Sequence, residues 1–337
     1  MFARVHTVKI VSINAAAASG PLVAAAILIA AAIDAHAQTY PQRAPRLVVP
    51  YTAGGVADFM GRVVGEGVQE FLGTPIVIEN RGGAGGNVGI EYVAKSAPDG
   101  YTLALGCLGY ASNAVLQSKI PYDPLRDFAP ITMVGTSPSV VVVHPSLPVK
   151  NIREFIALAK QRPGELAYGS SGPGGGSHLS VELFQAETST KMTHIPYKGT
   201  AQALPDLIAG RIQFMFDFPS SSLPHIKSGK LRAIAVTSAQ RLEQMPDLPT
   251  IAEAGVKGYE FGTWCGIIAP AGVPPAIGEK LNTSIVRTLE MPLTKSRFAP
   301  QSIQVTPMTQ QQFTAFIRSD LERWKKLLRE GRLQMLE

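Results

Sequence analysis

The sequence predicts an α/β protein built in two blocks. Three observations carry this expectation. Short β-rich runs alternate with helical stretches from Arg46 onward, a glycine-rich segment stands between a strand and a helix in each block, and 337 residues suffice for two cores. The first block opens with Arg46-Leu47-Val48-Val49 as a strand, a helix over 58–72 and a strand over 75–79. Strand, helix, strand is the parallel βαβ unit. Further strands are expected at 101–105 and 131–134.

The second block begins with the strand Val140-Val141-Val142-Val143 and a helix over 152–161, which Asn151 is placed to N-cap and Pro163-Gly164 to end. Strands at 166–168, 192–195, 212–216 and 231–236 alternate with helices at 179–187 and 201–209. After a loop with Pro246, Pro249 and Gly255 come a strand at 266–269 and helices at 277–289 and 310–328. A terminal helix pair with one strand needs a sheet to pack on, so this stretch is expected to return to the first block.

Arg4, His6 and Lys9 precede an apolar run over 21–33 and the small-residue site Ala35-His36-Ala37. That is the layout of a secretory signal peptide cleaved after Ala37. A retained anchor needs about 20 consecutive apolar residues, and this run is shorter. The leader carries Arg4, Lys9 and Asp34, so its loss takes the formal charge from +6 to +5. The remaining basic residues are scattered singly, without a tract or nucleic-acid module, which argues against nucleic acid as a partner. Only Cys107 and Cys265 are present, which excludes a cysteine-rich framework. One bridge in an oxidising compartment and two buried thiols remain open alternatives.

In the first block Pro50-Tyr51-Thr52-Ala53-Gly54-Gly55 leads into a helix with Asp58 in its first turn. In the second, Gly169-Ser170-Ser171-Gly172-Pro173-Gly174-Gly175-Gly176-Ser177-His178 occupies the same kind of junction. Glycines allow close backbone approach, and the free N–H groups of a helix start attract an anion. Two such loops, one per block, suggest two lips of one cleft, with the hydroxyls of Ser170, Ser171 and Ser177 beside the backbone.

Catalytic readings fare worse. The run Gly82-Gly83-Ala84-Gly85-Gly86-Asn87-Val88-Gly89 has Val88 where a dinucleotide fingerprint needs its third glycine. The serine loop lacks both the G-K-[ST] ending of a P-loop and the G-x-S-x-G of a nucleophile elbow. Adjacent Ser177 and His178 point about 100° apart on a helix, so an exported serine hydrolase using Ser177 or Ser171 lacks a positioned base. No paired histidine spacing suggests a metal, and no cofactor is expected.

Ordered segments along the mature chain resemble the Bug-type receptors, the substrate-binding proteins of tripartite tricarboxylate transporters. They include Arg46-Leu47-Val48-Val49-Pro50-Tyr51 with Gly54-Gly55 and Asp58, Glu79-Asn80-Arg81 with Gly83-Ala84-Gly85-Gly86, and Pro98-Asp99-Gly100-Tyr101-Thr102-Leu103. Pro121-Tyr122-Asp123-Pro124, His194-Ile195-Pro196-Tyr197-Lys198-Gly199, Gly229-Lys230-Leu231-Arg232-Ala233 and Trp264-Cys265-Gly266 continue the match. The resemblance implies a type II periplasmic-binding-protein fold, two α/β domains with a ligand cleft between them and two crossing strands as hinge. It puts one domain at residues 38–138 plus 262–337 and the other at 139–261.

It also implies binding loops from Tyr51 to Asp58, with Tyr51, Thr52, Ala53, Gly54, Gly55 and Asp58 singled out, and from Gly109 to Asn113 with Tyr110, Ser112 and Asn113. In the second block the loops run from Ser170 to His178, with Ser170, Ser171, Gly172, Ser177 and His178 singled out, then Tyr197, Lys198 and Gly199, then Asp217 and Phe218. The implied protein is a monomeric periplasmic receptor that delivers a small organic acid to membrane transporter subunits and is not an enzyme. An orphan receptor presenting its ligand to a sensor would need the same cleft. Di- and tricarboxylates, acidic amino acids and aromatic acids such as nicotinate or a phthalate are the candidate ligands. The family's usual Phe-Ala-Pro-Gly-Gly is Tyr51-Thr52-Ala53-Gly54-Gly55 here, and its Asn-Arg-Pro is Asn80-Arg81-Gly82.

Overall fold

The computed structural model describes residues 40–336, and the compact body starts at Arg43. The expected leader lies outside the described residues. None of the described helices is long and apolar enough to cross a membrane.

Two mixed sheets organise the body. The first orders its strands Gln304–Val305, Phe128–Pro138, Gly262–Pro270, Thr102–Cys107, Arg46–Val49 and Val77–Asn80, and the second Thr193–Pro196, Ala167–Ser170, Phe214–Asp217, Val140–Val143 and Arg232–Val236. In the first sheet β1 (Arg46–Val49) pairs in parallel with β2 (Val77–Asn80) and β3 (Thr102–Cys107). Between β1 and β2 lie α1 (Val56–Gly67) and the short α2 (Gln69–Leu72), in place of the single helix expected over 58–72. Helix α1 lies close on this sheet because Gly65 faces the chain: a Cβ there would come within 2.7 Å of the Ile76 carbonyl. Its apolar face, with Met60, Val63 and Val64 buried, contributes roughly 1.5–3 kcal/mol per side chain removed from water.

Helix α3 (Asn87–Ala94) follows β2, and α4 (Leu108–Leu116) follows β3. The segment Gly109 to Asn113, expected as a loop, is thus helical. Gly109, Ser112 and Asn113 are weak helix formers, and it is burial of Leu108, Ala111 and Leu116 that holds the segment in place.

The long strand β4 (Phe128–Pro138) runs through Ser139 directly into β5 (Val140–Val143) of the second sheet. This is the first crossing. The second lobe then continues with α5 (Ile152–Gln161), β6 (Ala167–Ser170), α6 (Gly176–Thr188) and β7 (Thr193–Pro196). It is completed by α7 (Thr200–Ile208), β8 (Phe214–Asp217), α8 (Pro219–Lys227) and β9 (Arg232–Val236). Asn151 caps α5, accepting the Glu154 N–H at 3.0 Å.

The chain returns through β10 (Gly262–Pro270), antiparallel to both β3 and β4. Helices α9 (Pro275–Glu290) and α10 (Pro292–Phe298), edge strand β11 (Gln304–Val305) and α11 (Gln310–Arg329) then rejoin the first lobe. At the point where β10 meets β3, Cys265 stands opposite Cys107, and the two form a disulfide.

Candidate functional site

Five helices begin around one cavity between the sheets. Gly55 precedes α1, Cys107 precedes α4, Gly175 precedes α6, Gly199 precedes α7 and Phe218 precedes α8. None of these starts has a side-chain cap, which also holds for α2, α3, α9 and α10, while Asn151 on α5 and Thr309 on α11 provide one. The first lobe lines the cavity with Tyr51, Thr52, Gly55, Val56 and Ala57, the second with Ser171, Gly176, Thr200 and Phe218. Cys107, Thr263 and Cys265 complete the wall. No charged side chain is among them. Uncapped helix starts offer orphan N–H groups and a partial positive charge, which together suit an anion.

The lips touch. The Thr52 N–H donates to the Lys198 carbonyl at 3.2 Å, and the Ser112 hydroxyl donates to the Gly174 carbonyl at 3.1 Å. Backbone approach is closest at Gly85, where a Cβ would stand 1.9 Å from the Pro173 carbonyl oxygen. The glycines that failed as a dinucleotide fingerprint therefore let one lip meet the other.

Asp58 lies behind the first lip, fully engaged. Its carboxylate accepts the Gly54 N–H at 2.9 Å, Arg62 Nε at 3.0 Å and Asn80 Nδ2 at 3.0 Å. Burial pushes its pKa up, but the bonds from Arg62, Gly54 and Asn80 outweigh burial and hold it below the usual carboxylate value. Asp217 is the contrasting acid. Burial raises it to about 6 despite bonds from the Ser221 hydroxyl, the Phe218 N–H and the Thr200 hydroxyl, and its Oδ1 has no partner.

The remaining expected residues fall into layers. Ser171, whose N–H donates to Ser177 Oγ at 2.9 Å, lines the cavity, with Ser177 directly behind it. Ser170 Oγ accepts the Gly172 N–H and bonds His194 Nε2 at 2.5 Å. His178 Nδ1 accepts the Gly174 N–H at 3.1 Å, so it shapes the loop and does not pair with Ser177. The His178 and His194 rings stack 4.1 Å apart, and burial lowers their pKa values to about 3 and about 4, keeping both neutral.

Asn113 bonds Asn87, while the Tyr110 hydroxyl donates to the Pro124 carbonyl inside an aromatic cluster with Tyr122, Phe128 and Trp264. Tyr197 donates to Asp206 at 2.7 Å, the Lys198 side chain is exposed, and Gly199 packs on Thr52. Ala53 and Gly54 form the bend of the first lip and do not line the cavity. Val56, Ala57 and Gly176 lie inside the expected loops Tyr51 to Asp58 and Ser170 to His178, whereas Thr200 stands one residue beyond the expected Tyr197 to Gly199 and was missed. Sequence reasoning also missed Cys107, Thr263 and Cys265, for which no local signal exists. Among the described residues no cluster of His, Cys, Asp or Glu is arranged to hold a metal.

A larger hollow of about 730 Å³ lies elsewhere, bounded by the end of β4, by Gly262 and Trp264 of β10 and by α11. Side chains alternate along a strand, so Gly262 and Trp264 face the hollow while Thr263 and Cys265 face the cavity on the other side of β10. Inside the hollow's wall, Asp320 accepts both indole N–H groups, of Trp264 at 3.1 Å and Trp324 at 3.0 Å.

Two α/β lobes joined by two crossing strands, with helix starts converging between them, define a solute-binding protein. The chain belongs to the tripartite tricarboxylate transporter family of receptors, whose family model matches residues 60–333. It is 38% identical over 301 residues to protein BugT of Bordetella pertussis (strain Tohama I), covering 89% of this chain and 92% of BugT. Rpa4515 of R. palustris with adipate is 37% identical with a TM-score of 0.82, covering 86% of this chain and 97% of that one. MatC from Rhodopseudomonas palustris with bound malate is 30% identical with a TM-score of 0.82, covering 86% of this chain and 100% of that one. Members of the family are periplasmic receptors.

Proposed function

We propose that this protein captures a small organic carboxylate between its two lips and passes it, chemically unchanged, to the membrane subunits of a tripartite tricarboxylate-type transporter. The observation that carries the reading is the convergence of five uncapped helix starts on a cavity without charged side chains. Hydrogen bonds to a charged group contribute roughly 1.5–3 kcal/mol each, enough for two or three N–H groups to retain an acid. The adipate and malate held by its relatives support the ligand class. In this reading the chain is exported with cleavage after Ala37, residues 38–138 and 262–337 form one domain, and 139–261 form the other.

The cavity presents no nucleophile with an oriented base. The closest Ser–His pair, Ser170 with His194, is outside its lining. Melting the mature protein with a panel of carboxylates tests the binding step, since a ligand at 100 times its Kd raises stability by about 2.7 kcal/mol. No shift with any acid would sink it. Uptake of the stabilising acid should also disappear when the gene is deleted, and unchanged uptake would rule out the transport role.

A further inference from the structure

Resting on that reading, we propose that the cavity selects a short monocarboxylic acid, of acetate or propionate size, and that the Cys107–Cys265 disulfide together with Phe218 sets the limit. Space is the first argument. With the lips in contact the cavity measures about 30 Å³, and on the same measure one water needs about 10–15 Å³, so there is room for two or three waters. Each water occupies about 30 Å³ of liquid, which makes the room equivalent to about 60–90 Å³ of liquid, on the scale of a few non-hydrogen atoms, whereas adipate has ten.

Charge is the second argument. Asp217 is completely buried and directly precedes the lining residue Phe218: its Oδ2 accepts the Ser221 hydroxyl at 2.7 Å, and its Oδ1 has no partner. A second carboxylate would place a further like charge beside this acid. The first carboxylate has the helix starts and the Thr52 hydroxyl, a buried group with no hydrogen-bond partner in the protein. Part of the wall suits a short alkyl body: the side chains of Val56, Ala57 and Phe218 and the two sulfurs offer no polar hydrogen, while Tyr51, Ser171 and Thr263 add hydroxyl-bearing side chains to the lining.

Titration calorimetry of the mature protein with acetate, propionate, butyrate, succinate and adipate, at one pH and salt, decides the matter. Acetate or propionate should bind at least tenfold more tightly than succinate or adipate. Phe218→Ala, and separately Cys107→Ala with Cys265→Ala, should move the optimum toward butyrate by enlarging the wall. The wild-type series alone suffices where a variant fails to fold. Succinate or adipate binding as tightly as propionate would overturn the size and charge rule while leaving carboxylate capture intact. No binding of any acid would overturn the capture itself, and this rule with it.

Discussion

Gly85 shows how a single missing atom sets the reach of a lip. Its φ of +63° lies in the left-handed region, and a methyl group there would collide with the Pro173 carbonyl across the cleft. The Gly85→Ala protein should lose roughly 1–2 kcal/mol of stability from the backbone. It should lose far more in ligand affinity, because the lips are held apart; calorimetry beside a urea melt separates the two losses. Asp217 makes the opposite kind of prediction, one of pH. Its folded pKa of about 6 exceeds the ordinary 3.8, so the folded state binds more protons between those values. The stability this group contributes is present below about pH 4 and is lost as pH rises through about 6. Asp217→Asn should therefore raise the melting temperature more at about pH 8 than at about pH 4. A bound carboxylate raises Asp217 further, so affinity should increase severalfold as pH falls from about 7.5 to 5.5, and the variant should show no such slope.

At the scale of elements, local pattern and tertiary context divide the molecule between them. Helix α5 begins and ends where its periodicity and the Asn151 cap say it should, because one wet face and one buried face leave no other solution. Helix α8 has no counterpart among the elements expected from the sequence: Pro219 at its start and Pro224 inside it mask the helical pattern, and the helix exists by packing against its neighbours. Likewise the glycine loops announced the two lips, while the far wall of the cavity came from β10, which follows the lip loops by dozens of residues and carries no mark of its partner. The alternative left open for the cysteines resolves for the same reason, since only strand register brings Cys265 opposite Cys107. The bridge closes a stretch of 158 residues. Its loss in Cys107→Ser with Cys265→Ser should lower unfolding free energy by about 2–5 kcal/mol. An unmoved urea midpoint would show that the strands hold this corner unaided.

For the whole molecule, the decisive arrangement is that β10 carries the cavity on one face and the 730 Å³ hollow on the other. A swing of the lobes about β4 and β10 that parts the lips in front would have to be taken up behind, in the hollow. The hollow is crossed by a tether, since Arg332 of the C-terminal segment pairs with Glu187 of α6 in the opposite lobe. Filling the hollow should impede that swing without touching the ligand. Ser319, exposed on α11 at the rim of the hollow, is the place to do so. Ser319→Trp should slow both capture and release of the bound acid severalfold, as read by stopped-flow fluorescence, while the ratio of the two rates changes much less. Unaltered rates would mean that the lobes part by some route other than this swing. A molecule built this way keeps its timing on the side its ligand never reaches, so the rate of opening can be tuned independently of what the cavity holds.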